Sequence, residues 1–226
     1  MQVQTWPQIA TKQASVMASD WVLFSIVGLA VALLVWGLIL FAIARWRFQP
    51  GQAEPPQFRN NYPLEITWTV IPLALVMVLF IYTYQAETRV DATSPHPDVT
   101  VHVNGYRWGW TFSYAGGPVI GGAATSPVGG TSAEKPPELV LPLGKTIRLE
   151  MTSSDVNHSF WVPDFLFKRD AIPGQTTAFD IEPNKLGSFV GRCAQFCGLD
   201  HALMTFTVRV IKPGEFERWR KGVQHS

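Results

Sequence analysis

The chain has 226 residues, with 18 Lys/Arg against 17 Asp/Glu for a formal net charge of +1. That balance, together with the lack of any basic stripe interleaved with aromatics, excludes nucleic acid as a partner. Only two cysteines are present, Cys193 and Cys197. They exclude a disulfide-dense secreted scaffold and leave a metal site or a single bridge. Apolar residues make up 47%, an ordinary share, but they crowd the front of the chain while most charges fall after position 85.

Residues 22–44 contain no charge, and neither do residues 66–84. A bilayer core takes about 20 apolar residues in a helix, because each residue rises ~1.5 Å. Trp21 and Trp46 flank the first run, where amphipathic rings favour the membrane–water interface. Pro72 in the second is tolerable in a membrane helix whose freed backbone groups find other partners. The first run exceeds a signal-peptide core and has no basic region ahead of it. The pair predicts a membrane hairpin. Arg45, Arg47 and Arg59 lie in the connection, whereas the N-terminal tail carries Lys12 against Asp20. Positive loops stay inside, so both termini and everything after about residue 87 are expected on the outer face of the membrane.

The linker ATSPHPD separates this anchor, residues 1–87, from an outer domain, residues 88–226. Its prolines oppose continued helix. Short β-branched and aromatic segments follow at 99–114, 138–151, 177–183, 187–193 and 204–211. Alternation of apolar and polar residues, clearest from Thr205 to Ile211, predicts half-buried strands and a β-sandwich. Residues 116–132, rich in Gly, Pro, Ser and Thr, read as a loop, and EFERWRKG near the C-terminus as a short surface helix.

The chemistry concentrates in CAQFCGLDHALM, which spaces Cys193, Cys197, His201 and Met204 as C-x3-C-x3-H-x2-M. His158 lies upstream in DVNHSFWVPD. Two thiols, two imidazoles and a thioether form a soft donor set that suits copper rather than magnesium or calcium. A mononuclear blue-copper site uses one Cys, and here a second is supplied on the same loop, enough to bridge two copper ions. A disulfide would leave the His and Met spacing unexplained. A Cys2His2 zinc site would have no use for Met204, although a methionine can simply fill a core.

With these motifs the chain resembles subunit II of haem–copper cytochrome c oxidases, which carry a dinuclear copper centre, CuA. The likeness runs from the hairpin to the end of the sandwich, and FLFKRD (165–170) is closest to actinobacterial versions. It implies a cupredoxin-like Greek-key sandwich behind a transmembrane α-helical hairpin. It also implies His158, Cys193, Cys197, His201 and Met204 as ligands of two copper ions, with Gln195 contributing its backbone carbonyl. Within NGYRWGW (104–110), Trp108 takes the place where electrons enter from a cytochrome. Glu65 matches an acid near the mouth of a proton-uptake route. Implied partners are the haem-bearing subunit I, subunit III, membrane lipid and a cytochrome c donor. Ordinary strand packing by Trp108 and a solvated interfacial charge at Glu65 are the plainer readings of those two residues. His96, His102 and His225 carry no motif.

Two departures from the family bear on function. Its carboxylate for an interface magnesium or manganese ion is Gln195 here, and an amide is the poorer ligand for a hard cation. Residues 111–132 carry no charge, and from Thr88 onward 14 Lys/Arg face 13 Asp/Glu. Little net field is left to steer a soluble donor, which favours a tethered cytochrome. Three rival functions are weighed. A quinol oxidase subunit would lack the copper ligands, nitrous oxide reductase would lack the two-helix anchor, and a copper-delivery protein would hold an exchangeable metal without associating with haem subunits.

Overall fold

In a computed structural model, residues 7–47, 50, 51, 53, 57, 59–123 and 136–223 are described. Residues 19–87 group into one compact unit, and the described chain before 19 and after 87 groups into the other.

The first unit is helical. Helix α1 spans Lys12–Arg45 and α2 spans Tyr62–Val90, so both outrun the charge-free segments. At 34 and 29 residues they are about 51 and 43 Å long at ~1.5 Å per residue, more than a ~30 Å hydrocarbon core requires. Their large side chains point outward unburied, Leu33 and Trp36 on α1 and Phe80 on α2 among them. A soluble core helix would hide these groups. Serine and threonine hydroxyls within the spans bond back along the helix: Ser25 donates to the Trp21 carbonyl, Thr67 to Pro63, Thr69 to Glu65 and Thr83 to Leu79. Such back-bonding is what an apolar solvent demands of a polar side chain.

The second unit is a sandwich of two five-stranded sheets. Strands β1 (Val99–Tyr106), β2 (Gly109–Tyr114), β3 (Val119–Ala123), β5 (Ile147–Ser153) and β8 (Thr177–Ile181) form one sheet, in the order β3-β2-β1-β5-β8. The other, ordered β4-β10-β9-β6-β7, uses β4 (Glu138–Pro142), β6 (His158–Val162), β7 (Phe167–Ala171), β9 (Gly187–Cys193) and β10 (Thr205–Ile211). The pairs β1/β5 and β4/β10 are parallel and the others antiparallel. Alternation along β5 and β10 sends every second residue inward, which is the signal the sequence carries. The predicted loop 116–132 needs correction: Val119–Ala123 pairs with β2 as an edge strand, while 124–132 lies outside the described residues. Backbone pairing needs no apolar side chain, so Gly121 and Gly122 hide a strand from any hydrophobic pattern.

Between the sheets lies a wholly buried core that includes Trp110, Phe112, Phe160, Phe206, Leu139 and Leu149. Tyr114 stitches the two sheets together. Its hydroxyl donates to the Val140 carbonyl (2.9 Å) and accepts from the Val140 N–H (2.7 Å), and burial raises its pKa. Tyr114→Phe is expected to cost about 1–3 kcal/mol, the toll of unmade buried hydrogen bonds, read as a lowered midpoint of denaturant unfolding. Helix α3 (Pro213–Val223), expected as a surface helix, buries Phe216 and sets Trp219 5.2 Å from the Tyr114 ring.

The segment ahead of the first apolar run is built into this unit. Ala10 and Thr11 are fully buried. Ala10 N donates to the Asp164 carbonyl, Asn184 N donates to Ala10, and Thr11 forms a bridge with Pro183. Behind α2 the linker is held as well. Arg148 pairs with Asp180 (2.8 Å) and also donates to the Ser94 carbonyl (2.6 Å).

Candidate metal centre

Three connected pieces of the second sheet deliver the donors. Strand β6 opens with His158, β9 ends with Cys193, and the loop from β9 to β10 carries Cys197, His201 and Met204. Because β6 pairs with β9, Phe160 opposite Cys193, the distant histidine arrives beside the sulfur loop. Ala194 N bonds to the Ser159 carbonyl and Cys193 N to the Met204 carbonyl, closing the loop at both ends.

All five side chains named from the sequence converge. Cys193 Sγ lies 3.9 Å from His158 Nδ1 and 3.9 Å from Cys197 Sγ. Cys197 Sγ lies 3.5 Å from His201 Nδ1 and 3.8 Å from Met204 Sδ. The Gln195 carbonyl stands 3.2 Å from Cys193 Sγ. Both cysteines are free, and both are buried, as are His158 and Met204. Donors this far apart suit the edges of a coordination shell with bonds of about 2.0–2.3 Å.

The electrostatics favour a cation. Burial drives the Cys193 thiol upward, but hydrogen bonds from His158 and the Ser159 backbone outweigh it and leave the pKa at about 7. Burial and then the neighbouring Cys193 charge push Cys197 up to about 12. One thiolate therefore forms readily and the second is opposed by the first, a conflict that bound metal charge resolves. Burial disfavours the charged imidazole of His158, yet bonds to Cys193 and Asp155 hold its pKa above the ordinary value.

Sequence reasoning gave Asp155 no role. Its Oδ1 lies 2.9 Å from His158 Nε2, and it accepts from Val156 N and Arg107 N. Despite the cost of burial, these bonds set its pKa at about 2. An acid three residues before the donor histidine was the available signal.

The two nearby tryptophans separate. Trp108 is half-buried, donates its indole N–H to the Cys197 carbonyl (3.2 Å), and lies along Gly198. Trp110 is fully buried, edge-on to His158 at 6.1 Å. Glu65 sits in the first turn of α2, where its Oε1 accepts the Asn61 N–H, a helix-capping contact. His102 pairs with Glu150 on a sheet face and His96 is exposed; His225 lies outside the described residues.

A β-sandwich carrying a buried soft-donor cluster, joined to two membrane-length apolar helices, defines a membrane-anchored, cupredoxin-like copper protein. A family model described as cytochrome c oxidase subunit II, periplasmic domain, matches residues 99–211. A probable cytochrome c oxidase subunit 2 of Streptomyces coelicolor is 38% identical across 94% of this chain and 76% of its own length. The cytochrome c oxidase subunit 2 of Corynebacterium diphtheriae is 34% identical across 96% of this chain and 75% of its own. Among solved structures, the periplasmic domain of subunit II of cytochrome oxidase from Bradyrhizobium japonicum superposes with a TM-score of 0.51 at 31% identity. That match covers 59% of this chain and 98% of the solved one. The chain belongs to the cytochrome c oxidase subunit II family, and so is a subunit of an oxidoreductase.

Proposed function

We propose that this subunit takes single electrons from a cytochrome c-type donor at a dinuclear copper centre. It hands them to haem in subunit I, where oxygen is reduced with coupled proton translocation. The observation that carries the reading is the convergence of two thiols, two imidazole Nδ1 atoms, a thioether and the Gln195 carbonyl on one buried point. His158, Cys193, Cys197, His201 and Met204 are assigned as ligands. A copper pair held by these residues would supply one-electron redox chemistry. The chain's own residues hold the donors in place. Asp155 orients His158, and the rings of Trp110, Phe160 and Phe206 form a dry floor, with Phe160 and Phe206 stacked at 4.6 Å.

Trp108 is assigned to electron entry, supported by its bond to the loop carbonyl of Cys197, which Trp110 does not make. Trp108→Phe is expected to slow electron uptake from reduced cytochrome c while copper content and spectrum stay parental, measured by stopped-flow on the purified oxidase.

Both termini are assigned to the outer face. The arginines of the helix connection support this, as does the packing of Ala10 and Thr11 into the copper domain, ahead of α1. Glu65 is the candidate mouth of the proton route, resting on its position at the start of α2. The amide of Gln195 argues against a tightly held magnesium or manganese ion at the subunit I interface. The whole reading is tested by purification. The chain should copurify with haem and hold two coppers in a mixed-valence state. A single copper, or zinc, would defeat it.

A further inference from the structure

Asp155 occupies a position that ligand-holding alone does not explain. One carboxylate serves two groups that are remote in sequence. Its Oδ1 faces Nε2 of His158 at 2.9 Å, and its Oδ2 accepts from Arg107 N at 2.8 Å and Arg107 Nε at 3.3 Å. Arg107 immediately precedes Trp108, whose indole reaches the Cys197 carbonyl. Cys197 contacts Cys193, and Cys193 contacts His158 Nδ1. The contacts therefore close a ring: Asp155, Arg107, Trp108, Cys197, Cys193, His158 and back to Asp155.

The mount is itself rigid. Ser153 Oγ accepts from Asp155 N and donates to the Val156 carbonyl, and Ser154 N bonds to the Gly105 carbonyl. A side chain at Gly105 would come within 3.1 Å of the His158 ring, so β1 packs closely against the imidazole. The imidazole is wholly buried, with one nitrogen at the carboxylate and the other toward sulfur. Nε2–H donation to Asp155 leaves Nδ1 as the lone-pair donor, fixing the tautomer a metal needs.

We propose that Asp155 is a positioning residue that locks the Trp108 turn and the His158 imidazole to one another, so that the site of electron entry and the copper ligand keep a fixed separation. This rests on the electron-relay reading above. It adds that donor-side geometry and metal geometry are set by one group. A residue that only tuned the histidine would leave the entry turn alone, and a residue that only shaped the turn would leave the metal alone.

The test uses the intact oxidase complex carrying Asp155→Asn, Trp108→Phe, both together, and Asp98→Asn as a control. Asp98 is similarly engaged, with Thr146 N and Lys145, but takes no part in the ring. Asp155→Asn is expected to lower copper retention against a chelator by roughly 10–100-fold and to displace the copper spin-resonance spectrum. Electron entry from reduced cytochrome c is expected to slow by roughly tenfold or more, because a misplaced donor geometry is costly. The entry defects of Asp155→Asn and Trp108→Phe should not multiply in the double variant, since both act through one turn. The control should match the parent in all three readouts. A parental spectrum and entry rate in Asp155→Asn would overturn the proposal, and so would defects that multiply independently. If Asp155→Asn is not recovered as a complex, Asp155→Glu carries the test: a displaced spectrum with slowed entry supports the coupling, and parental values of both sink it. Failure of the electron-relay reading would show earlier, as the absence of a mixed-valence copper signal in the parent.

Discussion

Oxidase with serine at Cys193 or at Cys197 should lose the copper pair and fall to background in oxidising cytochrome c, while still copurifying with haem. A serine hydroxyl keeps its proton near neutral pH, so the charge that draws copper is lost, and oxygen is a harder donor than this metal prefers. Each sulfur contacts several other donors. Cys193 touches His158, Cys197 and the Gln195 carbonyl; Cys197 touches Cys193, His201 and Met204. Neither change is local. Metal analysis should find fewer than two coppers per chain, and the mixed-valence spectrum should vanish in both variants. Retained turnover in either one would end the relay assignment. Both sulfurs belong to the buried core, but neither forms a disulfide and serine is close to cysteine in size, so haem spectra and subunit composition should stay parental. Removing copper from the parent with a chelator should reproduce the serine phenotype, and adding copper back should reverse it only in the parent.

Gly191→Ala should be nearly as damaging, by a route with no chemistry in it. Gly191 lies opposite Phe206 across β9 and β10. A methyl there would sit 2.1 Å from two ring carbons of Phe206, far inside contact distance. The ring has no retreat. It is stacked on Phe160 at 4.6 Å and abuts Trp110 at 5.4 Å and Phe112 at 5.6 Å. Overpacking of this kind costs about 1–3 kcal/mol and occasionally more, and a rigid aromatic cluster places this case at the top of that range. Cys193 begins the copper loop two residues on, and Met204 stands two residues before Phe206, so the strain should also reach the metal. Expected are a lower midpoint for thermal loss of the copper absorbance and weaker copper retention. Phe206→Leu in the same chain should recover part of the stability by clearing space. A Gly191→Ala oxidase as heat-resistant as the parent would refute the packing argument.

The anchor and the ligand types were legible in one dimension. Charge-free runs of membrane length need no tertiary partner to be recognised, because lipid rather than protein is their solvent. The spacing of Cys193, Cys197, His201 and Met204 is likewise local, since one loop holds all four. The alternation in β10 told its inward face from its outward one. Other features had no such signal. Val119–Ala123 reads as a glycine-rich loop because its pairing with β2 is made by backbone atoms. Ala10 and Thr11 look like an ordinary tail, and only Asp164, Pro183 and Asn184, more than 150 residues away, make them part of the domain.

Donor chemistry along one loop, membrane length and strand alternation were thus legible in the order of residues alone. Which tryptophan reaches the copper loop, how His158 comes to the sulfurs and why Asp155 stands between them were decided by the pairing of β6 with β9 and the turn from β1 to β2. The physical reason is that hydrophobicity and donor chemistry belong to single residues. The meeting of two distant residues belongs to a strand register, and that register exists only once the sheets have formed.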